Sequence, residues 1–545
     1  MARNSIRLLC NIVPAAILFC LGALSDFRVP GVYMDAVNPD YLVVPLLYSV
    51  ADPIGEWFIP GTMILGRFPI ITQIYHGALP FYVGLPAYAL FGTGLLGIRL
   101  TNMLFGLLVI TGMGALLAAF RVRTIIAASC LCLLALDPAF LFSFRIQFYI
   151  TMLAAAPLLL SVALVQSRGP AISISTAVLA GLLSGLSCYG YFIYFFFTPV
   201  AALHAIWLWH DCPGATRRCC LWAFGFLIGV LPYMVGYWWI SNAVGGVDQF
   251  FGFIAGSFRG LDVANSSLSL IQRANLGVQM IRNTLMDVGP TLMMLHAIPA
   301  ASAPLIRIML LIVLPATALA TALGLGTLRV ERSPARTGLI MMAGFALGFF
   351  ALVLAFGDRL WFQHAVFMLL VPYLSLAFAL EFFVSLIPRY SHVMTPIFTA
   401  LLLPLLATNL IDRHTVFEQL RRTGGVGLAS DAIVRFAEDS LRNASGAFMF
   451  FPDWGVFMPF LMITHGQIPY ATAFDAKQVR RILCDGHDAI AAFVEGQSQS
   501  RVTKSVEAVD WTAPRVTIFR QRDGVPVLSE ARWLASERPV GAECP

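Results

Sequence analysis

The chain has 545 residues, 59% of them hydrophobic and 12% charged, with a mean hydropathy of +0.79 and a formal net charge of +6. Globular domains carry roughly a quarter charged residues, so apolar surface on this scale cannot be hidden in a water-soluble shell and lipid must cover part of it. The positive charge is small and scattered, and no basic run interleaves with aromatics, which excludes a nucleic-acid partner.

Apolar runs of roughly 17 to 25 residues cross a bilayer core. The chain has eleven, at approximately 8–25, 97–119, 124–142, 148–166, 171–187, 191–209, 219–240, 305–327, 337–356, 365–386 and 395–411. The first follows Arg3 and Arg7 but lacks a convincing small-residue cleavage site behind it, so it reads as a span and not as a cleaved leader. Lys and Arg concentrate in alternate short loops: Arg121 and Arg123, Arg168, Arg217 and Arg218, Arg329, Arg332 and Arg336, then Arg389. The positive-inside bias makes those loops and the N-terminus cytoplasmic. An odd number of spans then puts the long stretches 26–96, 241–304 and 412–545 on the outer face. The expected localisation is a bacterial inner membrane, with the N-terminus inside and the C-terminal domain extracytoplasmic.

Within the first outer loop, 40–50 and 77–92 are apolar and aromatic but short or Pro-interrupted, which suits helices lying along the interface. The tail is compositionally different. Residues 428–443 predict an amphipathic helix, and Ala447–Phe451, Asp488–Val494 and Arg515–Arg520 predict strands of a small α/β domain. Residues 1–411 therefore form a membrane module and 412–545 a soluble domain. Eight of the ten cysteines sit in or beside apolar segments and read as small buried hydrophobes. Cys484 and Cys544 are the two in the tail, where an oxidising compartment would permit a disulfide.

Asp35 and Asp40 lie just beyond the first span, in Gly31-Val-Tyr-Met-Asp35-Ala-Val-Asn-Pro-Asp40-Tyr41. A carboxylate at a water–lipid boundary suits deprotonation of a hydroxyl, because partial burial raises its pKa toward the working range. The plainer reading is that Asp35 caps a turn and Asp40 N-caps the next helix. Arg67, His76, Arg99, Arg145, Arg359 and His364 all map to the outer boundary, where each either binds a phosphate or, for the arginines, snorkels to headgroups. Asp137, before Pro138, either lines a site or pairs with Arg145.

These residues occur in a suggestive order. An acidic residue after the first span is followed by Tyr75-His76-Gly77-Ala78-Leu79-Pro80-Phe81-Tyr82, a helix ending in Phe91-Gly92, and Arg99-Leu100 opening the second span. Leu136-Asp137-Pro138-Ala139 with Arg145, the run Gly181 to Gly185, and His364 to Tyr373 with its Pro372 follow in turn. The ordered set resembles the GT-C superfamily of protein O-mannosyltransferases and lipid A aminoarabinose transferases, over residues 8–411. The resemblance implies an α-helical polytopic membrane protein of about eleven spans, with interfacial helices in the first outer loop. It implies a glycosyltransferase moving a sugar from a polyprenyl-phosphate donor to a lipid, glycan or protein acceptor with inversion, with membrane lipids around it. It casts Asp35 as general base with Asp40 as fallback, puts the cationic side chains on the donor phosphate, and calls for neither metal nor cofactor. The chain departs from the superfamily in having Ala36 where a second acid often stands, Arg145-Ile146-Gln147-Phe148 where a carboxylate often follows the Arg, and Ser187-Cys188-Tyr189 where a Lys is common. Phe450-Phe451-Pro452-Asp453-Trp454-Gly455 resembles an Asp-Trp-Gly stretch of some bacterial members. A transporter or flippase of lipid-linked saccharides is the rival reading, but internal repeats are lacking and the ionisable residues gather at one boundary instead of the midplane.

Overall fold

A computed structural model describes residues 2–544 except 49, 51–61, 147, 261–267, 287–293, 296–301, 325–332, 445, 454, 497–506 and 540–543. Arg329, Arg332 and Trp454, which the sequence singled out, lie outside the described residues. The chain is an integral membrane protein. Among the described residues, nine helices are long and apolar enough to cross a bilayer: Ile6–Leu24, Leu95–Ala119, Tyr149–Arg168, Phe192–Trp209, Ala215–Ala243, Pro304–Gly324, Pro334–Arg359, Gln363–Leu386 and Pro388–Thr423. The other two expected runs are shorter helices. Ile174–Gly190 is one, and Thr124–Leu136 is the other, broken at Asp137 before a short helix, Pro138–Ser143. Pro138 has no N–H to continue the ladder, and the Asp137 carboxylate restarts it by accepting from Ala139 N at 2.8 Å.

Ion pairs tie together helix ends that an alternating topology puts at one level. At one end the Arg123 guanidinium pairs with Glu381 at 2.5 Å, and Glu381 also accepts from the Arg123 backbone N–H at 2.8 Å. At the other, the buried Arg307 donates to Asp137 at 2.9 Å and to Asp412 at 3.2 Å, and Tyr373 also donates to Asp137, at 2.6 Å. Asp137 thus pairs with Arg307, and not with Arg145 as one sequence reading had it. The helices Ile174–Gly190 and Ala215–Ala243 touch backbone to backbone, since a Cβ at Gly181 would stand 1.8 Å from the Trp222 carbonyl oxygen.

One boundary moves. The last spanning helix runs on to Thr423, where Gly424 ends it in a left-handed conformation, so the expected border at 411/412 falls inside a helix. The charges that made 412 look soluble decorate that helix's final turns, where Arg421 pairs with Asp26. In the segment expected at 40–50, Tyr41, Leu42, Val43 and Val44 are fully buried, and the tail helix Phe457–Ile463 covers them through Phe457, 6.1 Å from Tyr41 between ring centroids.

The tail is a five-stranded sheet in the order Tyr470–Ala471, Phe448–Phe450, Ala489–Val494, Pro526–Trp533, Arg515–Arg520, with parallel pairing among the first three and antiparallel pairing thereafter. Its central strand is buried on both faces. Ala489, Ala491 and Phe493 pack on helix Ala476–Cys484 through Val479 and Leu483, whereas Ile490, Ala492 and Val494 join the core that continues into the membrane module. Cys484 and Cys544 form a disulfide.

Candidate functional site

The first spanning helix, Ile6–Leu24, ends with carbonyls that have no partner within the helix and that the chain must satisfy elsewhere. Arg145 does so: its guanidinium, almost fully buried, donates to the carbonyls of Gly22 at 3.1 Å, Ala23 at 3.0 Å and Asp26 at 3.2 Å, and to those of Ser25 and Val29. Arg99 continues the clamp, donating to Phe27 O at 2.9 Å, Arg145 O at 3.2 Å and Pro30 O. Burial also makes the Arg145 cation harder to keep, with the neighbouring Arg99 pushing the same way. Both arginines thus face backbone carbonyls, and the expected phosphate role is revised for them: the two terminal nitrogens of Arg145 and all three nitrogens of Arg99 are engaged in fixing the segment that leads to Asp35.

The same segment is gripped from the tail. Gly31 N donates to Ala429 O at 2.7 Å and Met34 N to Gly455 O at 3.0 Å. A Cβ on Gly31 would stand 1.9 Å from Ser430 O, so this residue admits the tail only as glycine. Asp35 follows on a single turn of 3-10 helix, Met34–Ala36.

Asp35 opens into a small cleft lined also by Asn38, Tyr75, His76, Ile150, Thr151, Tyr191 and Gln363. Burial pushes the Asp35 carboxyl up to about 6, and it pushes the neighbouring Tyr75 phenol up to about 12 with help from the Asp35 charge. His76 is held by the two-strand pairing of Ile71–Gln73 with His76–Gly77. Tyrosine hydroxyls pin that loop: Tyr189 donates to Ile70 O at 2.6 Å, and Tyr233 to Ile74 O at 3.1 Å. His76 Nδ1 lies 2.9 Å from Thr72 Oγ1 and 3.2 Å from Gly77 O. A carbonyl only accepts, so Nδ1 carries the proton and Nε2 the lone pair. Burial lowers the His76 pKa to about 4, which keeps the ring neutral.

The remaining expected residues divide. Asp40 stands apart from the cleft lining: it is fully buried, accepts from Tyr88 Oη at 2.7 Å, has Tyr149 as a further hydroxyl neighbour, and is pushed up to about 7 by burial. It caps no helix, since the N-cap position belongs to Pro39. Arg67 is exposed at the tip of the Met63–Ile64 / Phe68–Pro69 hairpin. Arg359 sits half-buried on the turn Gly357–Arg359, which leads to Gln363 and His364; its Nε is buried and, among the described residues, unpaired. His364 reaches the cleft through Tyr191, with Nε2 3.1 Å from the Tyr191 hydroxyl. The sequence reading gave no role to Asn38, Tyr75, Thr151, Tyr191 and Gln363; Thr151, Tyr191 and Gln363 are polar or hydroxylated side chains at the start of a span, and Asn38 and Tyr75 lie in the first loop.

No family model and no curated protein matches the chain. Among solved structures it is similar to ArnT from Cupriavidus metallidurans bound to undecaprenyl phosphate, with a TM-score of 0.52 and 12% identity over 94% of this chain and 97% of that one. The apo state of the same protein gives 0.51 and 12% over 96% and 98%. The arabinofuranosyltransferase AftD from Mycobacteria gives a TM-score of 0.41 at 17% identity, over 95% of this chain and 40% of that chain. The chain thus has the fold of ArnT over nearly the whole length of that protein.

Proposed function

We propose that this chain is a membrane glycosyltransferase that takes a hexosyl or pentosyl unit from a polyprenyl-phosphate donor and passes it, with inversion, to a lipid, glycan or protein acceptor on the outer face of a bacterial inner membrane. The observation that carries this reading is Asp35: a half-buried carboxylate with its pKa raised to about 6, opening into a cleft with neutral donors on the fold of ArnT. A base poised near the working pH is ionised and yet basic enough to accept a proton. The acceptor hydroxyl gives its proton to Asp35 as its oxygen attacks the anomeric carbon, and the bond to the phosphate oxygen breaks on the opposite side. Polyprenyl phosphate then leaves with the bonding pair. The neutral His76 offers Nε2 as an acceptor for a sugar or acceptor hydroxyl. Arg359, on the turn beside Gln363, is the cation best available to the donor phosphate.

The test is transfer of radiolabelled sugar from a panel of polyprenyl-phosphate-linked hexoses and pentoses to membrane acceptors by the purified, reconstituted protein. Label retained only on the carrier, or carried across the bilayer still attached to it, would overturn the enzyme in favour of a flippase.

A further inference from the structure

Tyr191 is a cleft residue with a built-in polariser behind it. The backbone N–H of Trp361 donates to His364 Nδ1 at 2.8 Å, with the Trp361 carbonyl farther off at 3.1 Å. The Trp361 carbonyl already accepts from His364 N at 2.9 Å, whereas the Trp361 N–H, the shorter contact, needs an acceptor at Nδ1; Nδ1 is therefore assigned the lone pair and Nε2 the proton. Among the described residues that proton meets the Tyr191 hydroxyl oxygen, at 3.1 Å. Since Tyr191 Oη accepts from His364, its own O–H is directed away from the histidine, and among the described residues no protein acceptor receives it. The ring cannot swing to find one: His76 stacks on it at 5.9 Å and 14°, His364 meets it edge-on at 5.7 Å, and Tyr191 is 3% exposed. The cleft lining contains no Arg or Lys among the described residues, so charge developing there meets neutral donors.

We infer that Tyr191 donates its hydroxyl hydrogen bond to the phosphate oxygen that takes up the bonding pair as polyprenyl phosphate leaves, and that His364 is a positioning residue that polarises and aims that hydroxyl. The inference rests on the glycosyltransferase reading. Atoms balance without transfer of the tyrosine proton: the acceptor's proton goes to Asp35, the electron pair of the carbon–oxygen bond goes to the phosphate, and Tyr191 O–H stabilises that oxygen while keeping its hydrogen. A donor accepting a bond from a neighbour is a stronger donor itself, and one held by packing needs no reorganisation as charge develops.

The experiment is a double-mutant cycle in the transfer assay with Tyr191→Phe, His364→Asn and the double variant, each also titrated with undecaprenyl phosphate to verify a folded, ligand-binding protein. Removing a preorganised donor to a developing oxyanion lowers kcat about 100- to 1000-fold, so Tyr191→Phe should lose that much with KM for the donor nearly unchanged. His364→Asn should lose roughly 3- to 10-fold, the worth of one neutral hydrogen bond, and nothing further in the Tyr191→Phe background. Normal kcat in Tyr191→Phe, or a His364→Asn deficit that persists undiminished in that background, overturns the inference while Asp35-dependent transfer still stands. Absence of sugar transfer by the wild-type protein removes the underlying reading and the inference together.

Discussion

Asp35 and Asp40 are five positions apart and both carry raised pKa values, yet they should respond to substitution in opposite ways. Asp40 is wholly buried, and its carboxyl is pushed from 3.8 up to about 7. Between these values the unfolded chain has lost the Asp40 proton while the folded one keeps it. Stability is therefore greatest below the unfolded pKa and falls as pH rises through the folded one. The slope is about 1.4 kcal/mol per pH unit, and across the window it sums to about 4 kcal/mol of stability lost by neutral pH. Asp40→Asn removes that titration. Its amide still accepts from Tyr88 and brings donors that Tyr149 can accept, at a cost of roughly 1–3 kcal/mol if one stays unpaired. The variant should be equal to or less stable than wild type near pH 5, more stable near pH 8, and active at both. Thermal unfolding in detergent at several pH values, followed by tryptophan fluorescence, reads this directly. Parallel wild-type and variant curves would refute the buried titration. A folded but inactive Asp40→Asn would make Asp40 the base and Asp35 the bystander.

Three further outcomes follow from the same geometry. Asp35→Asn should lower transfer about 100- to 10,000-fold with normal folding and undecaprenyl phosphate binding; in wild type, kcat/KM should rise with pH through about 6 as the carboxylate forms, measured across pH 5–8. Arg145→Lys should lower the melting temperature and yield, because one ammonium cannot match a planar fork facing carbonyls from Gly22 to Val29; unchanged stability with a raised donor KM would instead return Arg145 to phosphate binding. Gly31→Ala should lower both stability and kcat, since its Cβ would overlap Ser430 O at 1.9 Å and displace the turn bearing Asp35; wild-type activity there would mean that the tail does not set the base.

Much of this architecture was legible because it depends on local composition. Apolar run lengths located the spans, and the carboxylate after the first of them was readable from its place alone. The tail helix at 432–443 and the strands at 448–450, 489–494 and 515–520 follow periodicities the sequence shows plainly. What stayed hidden depends on which distant group a side chain meets. An arginine at a membrane boundary looks the same whether it faces a phosphate or the carbonyls of a helix end 120 residues away, as Arg145 does with Ser25. Tyr191 read as one more aromatic in a span, because its distinction lies in His364, 173 residues later. The sequence reading passed over Arg307, whose partners Asp137 and Asp412 lie 170 and 105 residues away.

The tail's role follows from how its sheet is buried. A domain that merely hangs from the last span should have a solvated face, yet strand Ala489–Val494 has none, and alternate residues on it belong to two different cores. One of those cores runs on through Phe451, Phe457 and Tyr41 to the loop that bears Asp35. The backbone of that loop also gives its N–H groups at Gly31 and Met34 to tail carbonyls, so a shift of the tail must move Asp35. Helix-end carbonyls held by Arg145 and Arg99 fix the loop from the membrane side, and Ala429 and Gly455 fix it from the tail side. Asp35 itself sits on a single turn with no side-chain cap, so its position is determined by these two clamps and by little that is local.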